Sequence, residues 1–165
     1  MSSKHTISVL VENEDGVLAR VSGMFAARGY NIDSLAVAPT QDPRFSRITL
    51  VTTGSELIIE QILKQLNRLI DTVKGQDFTG ENFISREMVL VKVKANAEST
   101  SGILEIAKNY SAKVIDQSPE YVTLEFSSEH EKVNALLADL NPFGIIEDVR
   151  TGAIAIQRGK APIHG

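Results

Sequence analysis

The sequence predicts an α+β chain built from two successive βαββαβ units. Three observations predict it. Short runs alternate apolar with polar residues and are bounded by turn residues, as half-buried strands require. Between them lie stretches with apolar residues three and four apart, as helices with one buried face require. The order of the first half then recurs in the second, across a polar break at Thr79-Gly-Glu-Asn82.

Thr6 to Val11 alternates, with Ile7, Val9 and Val11 on one face, and reads as a strand. Asn13-Glu14-Asp15-Gly16 is a cluster of turn residues. Val17, Leu18, Val21, Met24 and Phe25 follow at helical spacing, and Gly29 is the expected C-cap. Ile32 to Ala38 reads as a second strand stopped by Pro39, and Ser46 to Thr53 as a third, with the polar loop 40–44 between them. Thr53-Gly-Ser-Glu56 has the spacing of a capping box. The helix it would open carries Ile58, Ile59, Ile62, Leu63, Leu66, Leu69 and Ile70. Thr72 to Phe78 is a weak fourth strand.

In the second half, Met88 to Ala95 is a strand and Gly102 to Tyr110 a helix, with Ser99 or Ser101 as its expected cap. Lys113 to Gln117 and Tyr121 to Phe126 are strands around Ser118-Pro119. Ser128-x-x-Glu131 has capping-box spacing ahead of Val133, Leu136, Leu137 and Leu140. Asn141-Pro-Phe-Gly144 stops that helix, and Ile145 to Ile156 is a final strand region with a possible break at Gly152. Gln157 to Gly165 reads as a polar, frayed tail. Domains are therefore expected at 1–80 and 84–160. Each split-βαβ unit follows the ferredoxin-like plan, with helices on one face of a four-stranded antiparallel sheet. The other face must be polar or covered.

Composition narrows the chemistry. A net charge of -4 lacks the clustered cations that displace phosphate counterions, and 5% aromatics with no Trp offer few stacking platforms, so nucleic acid is not the expected partner. The absence of Cys excludes disulfides, thiolate catalysis and thiolate metal sites. No apolar run approaches the ~20 residues of a membrane span and no secretory signal is seen, so the expected location is the cytoplasm and no membrane partner is expected.

The most informative stretch is the first strand–turn–helix. The first N–H groups of a helix lack internal partners and carry partial positive charge. Gly16 lets a ligand approach the backbone, so a carboxylate suits this place. Asn13 could accept from an ammonium group, Asn31 could close over the same space, and Ile32, Leu35 and Val37 could form an apolar wall. The alternative is a plain turn with Asp15 as helix cap, and spacing alone does not separate the two. His5, His130 and His164 are scattered, so no metal site is expected. Ser99-Thr-Ser101 and Ser127-Ser128 have no nearby base. No acid/base constellation or dinucleotide fingerprint emerges, so no catalytic residues are assigned. An enzyme carrying a sensing domain and an RNA- or metal-binding module are the rival readings. Activity, gel-shift and metal assays separate them.

The block Asn13-Glu-Asp-Gly-Val-Leu-Ala-Arg-Val21, continued through Phe25 to Pro39, Asp42-Pro43 and Ser46-Arg47, resembles the small regulatory subunits of acetolactate synthase (acetohydroxyacid synthase). Ser85 to Val93 resembles the opening of that family's second domain. The resemblance implies an N-terminal ACT domain and a C-terminal unit that contacts the catalytic large subunit. It implies pairing of ACT domains into at least a homodimer, with a branched-chain amino acid, valine foremost, bound at the seam. Asn13 and Asn31 would be polar contacts, Gly16, Val17 and Leu18 would offer backbone N–H groups, and Ile32 would line the wall. The implied role is feedback inhibition and support of the large subunit in branched-chain amino acid biosynthesis. Thiamine diphosphate, magnesium and FAD are implied for that catalytic partner, and none for this chain. The G-D-G start and Asn-Asn end of a thiamine-diphosphate site are absent from the sequence.

Overall fold

The computed structural model describes residues 2–163. The chain divides into two compact units, Met1–Ile84 with Ala153–Gly165, and Ser85–Gly152.

In the first unit the order is β1 (Ser3–Glu12), α1 (Val17–Ala27), β2 (Ser34–Pro39), β3 (Phe45–Gly54), α2 (Glu56–Arg68) and β4 (Thr72–Asp77). The strands lie in the order β2-β3-β1-β4, all neighbours antiparallel, as the ferredoxin-like plan demands. β1 and β3 pair from Ser3↔Gly54 to Glu12↔Phe45. Ile7, Val9, Val11, Ile48 and Leu50 turn one face towards Val21 and Phe25 of α1 and Ile59, Ile62 and Leu66 of α2, and all are buried. That apolar stripe is what drives both helices onto the sheet.

Local boundaries differ from the sequence reading in instructive ways. α2 is capped by Ser55, whose Oγ accepts from the Ile58 N–H at 3.3 Å, and not by Thr53. Thr53 is still in β3, and its hydroxyl donates to Asp33 Oδ2 at 2.6 Å. Pro39 is the last residue of β2 rather than its stop. It sits on an edge strand, where a missing N–H costs no ladder bond.

The second unit repeats the plan. Its β5 (Phe83–Lys94) begins in the first unit, and α3 (Thr100–Tyr110), β6 (Lys113–Gln117), β7 (Tyr121–Ser128), α4 (His130–Leu140), a 3-10 turn (Asn141–Phe143) and β8 (Ile145–Arg150) follow. The strand order β6-β7-β5-β8 matches that of the first sheet. Val89, Val91, Val93, Val122 and Leu124 pack against Ile103, Val133 and Leu136. Ser99 is the residue before α3, yet its hydroxyl accepts from the Asn96 N–H instead of capping the helix. Ser128 ends β7, and Glu129 stands at the start of α4 with no side-chain cap.

The last strand region is two pieces. β8 ends at Arg150, Thr151 bonds back to Met88, and β9 (Ile154–Gln157) belongs to the first unit. The domain division at 84–160 therefore differs from the packing, which returns 153–163 to the first unit. The tail is not frayed as far as it is described. Arg47 Nη2 donates to the Ala155 carbonyl at 2.9 Å, the Arg158 N–H to the Asn82 carbonyl at 2.9 Å, and Ile163 is buried. These residues cover part of the sheet face opposite the helices, where Ser8 and Thr49 are buried. His164 and Gly165 lie outside the described residues, as does Met1. Among the described residues, no helix is long and apolar enough to cross a membrane.

Candidate functional site

β1 ends at Glu12, and the chain turns through Asn13 to Gly16 before entering α1. Asn13 is tied to the β2–β3 loop on both sides of its amide. Its Nδ2 donates to the Pro43 carbonyl at 3.2 Å, and its Oδ1 accepts from Ser46 Oγ at 3.1 Å. Its backbone N–H donates to the Arg44 carbonyl at 2.8 Å. The amide is thus held in one orientation with a second lone pair on Oδ1 still free. The loop is itself clamped: Asp42 accepts from the Arg44 backbone N–H, Nε and Nη2 at 3.1, 3.0 and 2.7 Å. Those bonds hold the Asp42 carboxyl below the usual aspartate range.

Gly16 is the N-cap residue of α1, at φ 81° and ψ 3°, with no side-chain cap bond. That left-handed conformation is one that only glycine adopts without strain. Asp15 therefore does not cap the helix, and it is the Asp15 carbonyl that is engaged, by Arg20 Nη2 at 3.0 Å. The Val17 N–H reaches the Glu14 carbonyl at 3.4 Å. The N–H groups of Leu18 and Ala19 have no acceptor among the described residues. The helix terminus thus presents free donors and partial positive charge to an approaching anion. Val17 buries its side chain in the core and Leu18 leaves its own 42% exposed, so at Val17 only the backbone faces outward.

Arg20 is a functional candidate that sequence reasoning passed over. Its Nε pairs with Asp71 Oδ2 at 2.6 Å, and its Nη1 lies 2.9 Å from where a Cβ on Gly16 would stand. The hydrogen bond it donates to Asp71 raises its pKa further. The available signal was its position four residues beyond Gly16, on the same helix face.

Asn31 and Ile32 are not brought to this place. Asn31 follows the far end of α1, its Nδ2 donates to Asp33 Oδ1 at 2.7 Å, and its carbonyl accepts from Thr52. Thr52 pairs with His5 on β1, whereas Ser46, which holds Asn13, pairs with Val11. Six residues of strand separate those positions, or about 20 Å. Ile32 packs partly buried against the first core. Within one chain, therefore, Asn31 does not close over Gly16: the two mark opposite ends of the same unit.

Other polar clusters are local. His5 Nδ1 meets Asp77 at 2.7 Å, and the buried Glu87 meets His130 at 3.1 Å and Arg150 at 3.8 Å. No group of three or more His, Asp or Glu among the described residues is placed to hold a metal.

Comparison with known proteins gives a consistent set. The family model for the ACT domain of AHAS small subunits matches residues 7–74, and that for the small subunit of acetolactate synthase matches residues 86–159. The acetolactate synthase small subunit of Mycobacterium bovis is 46% identical over 160 residues, covering 96% of this chain and 95% of the relative. A probable acetolactate synthase small subunit of Archaeoglobus fulgidus is 42% identical over 156 residues, covering 94% and 98%. The crystal structure of the acetolactate synthase small subunit from Thermotoga maritima superimposes with a TM-score of 0.88 at 34% identity, covering 96% of this chain and 99% of that one.

Proposed function

The chain belongs to the family of acetolactate synthase small subunits, which are regulatory, and from that premise we propose that it senses a branched-chain amino acid, valine foremost, for feedback control of the catalytic large subunit. The observation that carries this reading is the first turn of α1 after Gly16, whose Leu18 and Ala19 N–H groups have no acceptor among the described residues, with the fixed amide of Asn13 in the same turn. The effector's carboxylate sits on the free N–H groups of the turn, its ammonium on Asn13, and its aliphatic chain against apolar side chains.

The distance between Gly16 and Asn31 argues for a seam between two copies. A twofold pairing sets Asn31 and Ile32 of one copy against Gly16, Val17 and Leu18 of the other, and the reverse, giving two equivalent sites per dimer. Helix-terminus electrostatics supply up to ~2 kcal/mol in a partly buried site, and burial of the aliphatic chain about 1.5–3 kcal/mol. Neither alone offsets the cost of association, so both ends of the ligand are read. Because the ligand bridges two copies, it favours one mutual arrangement of them. An allosteric coupling of about 1–3 kcal/mol is enough to pass that preference to the large subunit. In this reading the thiamine diphosphate chemistry, with magnesium and FAD, belongs to the large subunit, the second unit carries the contact to it, and the complex is cytoplasmic.

Mixed dimers test it. Gly16→Asp and Asn31→Asp copies should each fail to bind valine by calorimetry when pure. Co-expressed with different tags and purified as mixed pairs, they should regain one wild-type site per dimer. Mixed pairs that bind no valine would overturn the shared seam.

A further inference from the structure

On the sheet face opposite the helices, β1, β3, the β2–β3 loop and the returning tail line a half-open pocket of about 430 Å³. Carbon lines most of it, from Leu10, Phe45, Phe78 and Ile163, and the cations Arg47 and Lys160 enter the same space. All of these residues belong to the first unit.

Arg47 is half-buried and has no counterion among the described residues. Its Nε donates to Ser8 Oγ, its Nη2 to the Ala155 carbonyl at 2.9 Å, and its guanidinium carbon lies 5.7 Å from the centre of the Phe78 ring. Among the described residues no carboxylate lies within ion-pair distance of it, and Nη1 has no hydrogen-bond partner. Burial pushes its pKa down with no neighbouring charge to oppose the shift. The one carboxylate lining the pocket, Asp42, is already taken up by Arg44. A partly desolvated cation with neutral partners only is costly and favours an incoming anion. A bare inorganic ion would satisfy that charge but leave the apolar walls wet.

We propose that this pocket binds a small carboxylate with a compact apolar body, its charge on the guanidinium of Arg47 and its body against Leu10 and Phe78. The site is spatially distinct from the one at Gly16, because Ser46 and Arg47 are neighbours on β3 and alternate residues of a strand point to opposite faces. It requires no ammonium on its ligand, so it admits carboxylates that lack the group Asn13 would read at the Gly16 site.

Calorimetry of the full chain with benzoate is the test. Saturable binding is expected with a Kd of about 1 mM or tighter, given the size of the ligand. Benzamide, the same shape without charge, should bind at least about tenfold more weakly. Arg47→Met, which keeps the apolar stem, should lose about tenfold or more. Should that variant not fold, Lys160→Gln at the exposed rim should still weaken binding by about two- to fivefold. Gly16→Asp should bind benzoate as the wild type does. No saturable binding to wild type, benzamide binding as tightly as benzoate, or loss of benzoate binding in Gly16→Asp would each overturn the proposal, the last by placing the ligand at α1.

Discussion

Ser46 Oγ donates to Asn13 Oδ1 at 3.1 Å, joining the start of β3 to the turn that opens α1. Ser46 is buried, so water does not readily replace this bond. Ser46→Ala should cost about 1 kcal/mol of folding stability, the net worth of one such bond, read as a lower urea midpoint. It should also cost valine affinity, about fivefold, because the Asn13 amide is then held from one side only. Unchanged affinity with reduced stability would show that Ser46 supports the fold and not the site.

Gly16 is where backbone and ligand demands meet. Gly16→Ala should destabilise by about 1–2 kcal/mol, because an L side chain at φ 81° is strained. The added Cβ would meet Arg20 Nη1, the far end of a flexible side chain that can give way. Gly16→Asp should pay the same backbone cost and in addition set an anion against the effector's carboxylate. Urea unfolding should therefore place the two variants together, and calorimetry with valine should separate them by about tenfold or more.

The turn at Asn13 to Gly16 was legible because its chemistry is local: Asn, Asp and Gly in four residues announce a turn, and the apolar spacing after it announces α1. The repeat of βαββαβ was legible for the same reason. What was hidden depends on register. Nothing in the spacing says that Val11 stands opposite Ser46 and His5 opposite Thr52, and those pairings are what put Asn13 and Asn31 about 20 Å apart. The cap of α2 was misplaced because Thr53-x-x-Glu56 and Ser55 both fit locally. The ladder extends through Gly54, which keeps Thr53 in the strand and leaves Ser55 to cap. The tail from Gln157 looked polar and loose. Its cover of Leu10, Arg47 and Phe78 is a tertiary fact with no local periodicity to betray it.

The Asp42–Arg44 clamp gives a pH dependence with a definite sign. The folded state holds the Asp42 carboxyl below the unfolded value of about 4. Its contribution to stability is therefore fully present above that value and is lost as pH falls through the lower folded pKa. Wild type should exceed Asp42→Asn in urea midpoint at neutral pH, and the gap should close on the acid side of about pH 4. A gap that is constant with pH would show that the charge of Asp42 plays no part in fixing the loop.

Arg20 distinguishes an electrostatic site from a purely hydrogen-bonded one. Its guanidinium lies over Gly16 and is fixed there by the nearly buried Asp71 and by the Asp15 carbonyl. If the effector's carboxylate sits on the first turn of α1 as proposed, a cation so placed lies near it. Because the Arg20 side chain is 43% exposed, solvent screens much of that attraction. Arg20→Ala should therefore weaken valine binding by no more than about fivefold, and the affinity that remains should vary less with salt than that of wild type. Asp71→Asn removes the anion and keeps the cation, so valine affinity should hold or rise even as the urea midpoint falls. If Asp71→Asn weakens binding as much as Arg20→Ala, the pair acts only by shaping the turn, and the free N–H groups of Leu18 and Ala19 carry the carboxylate alone.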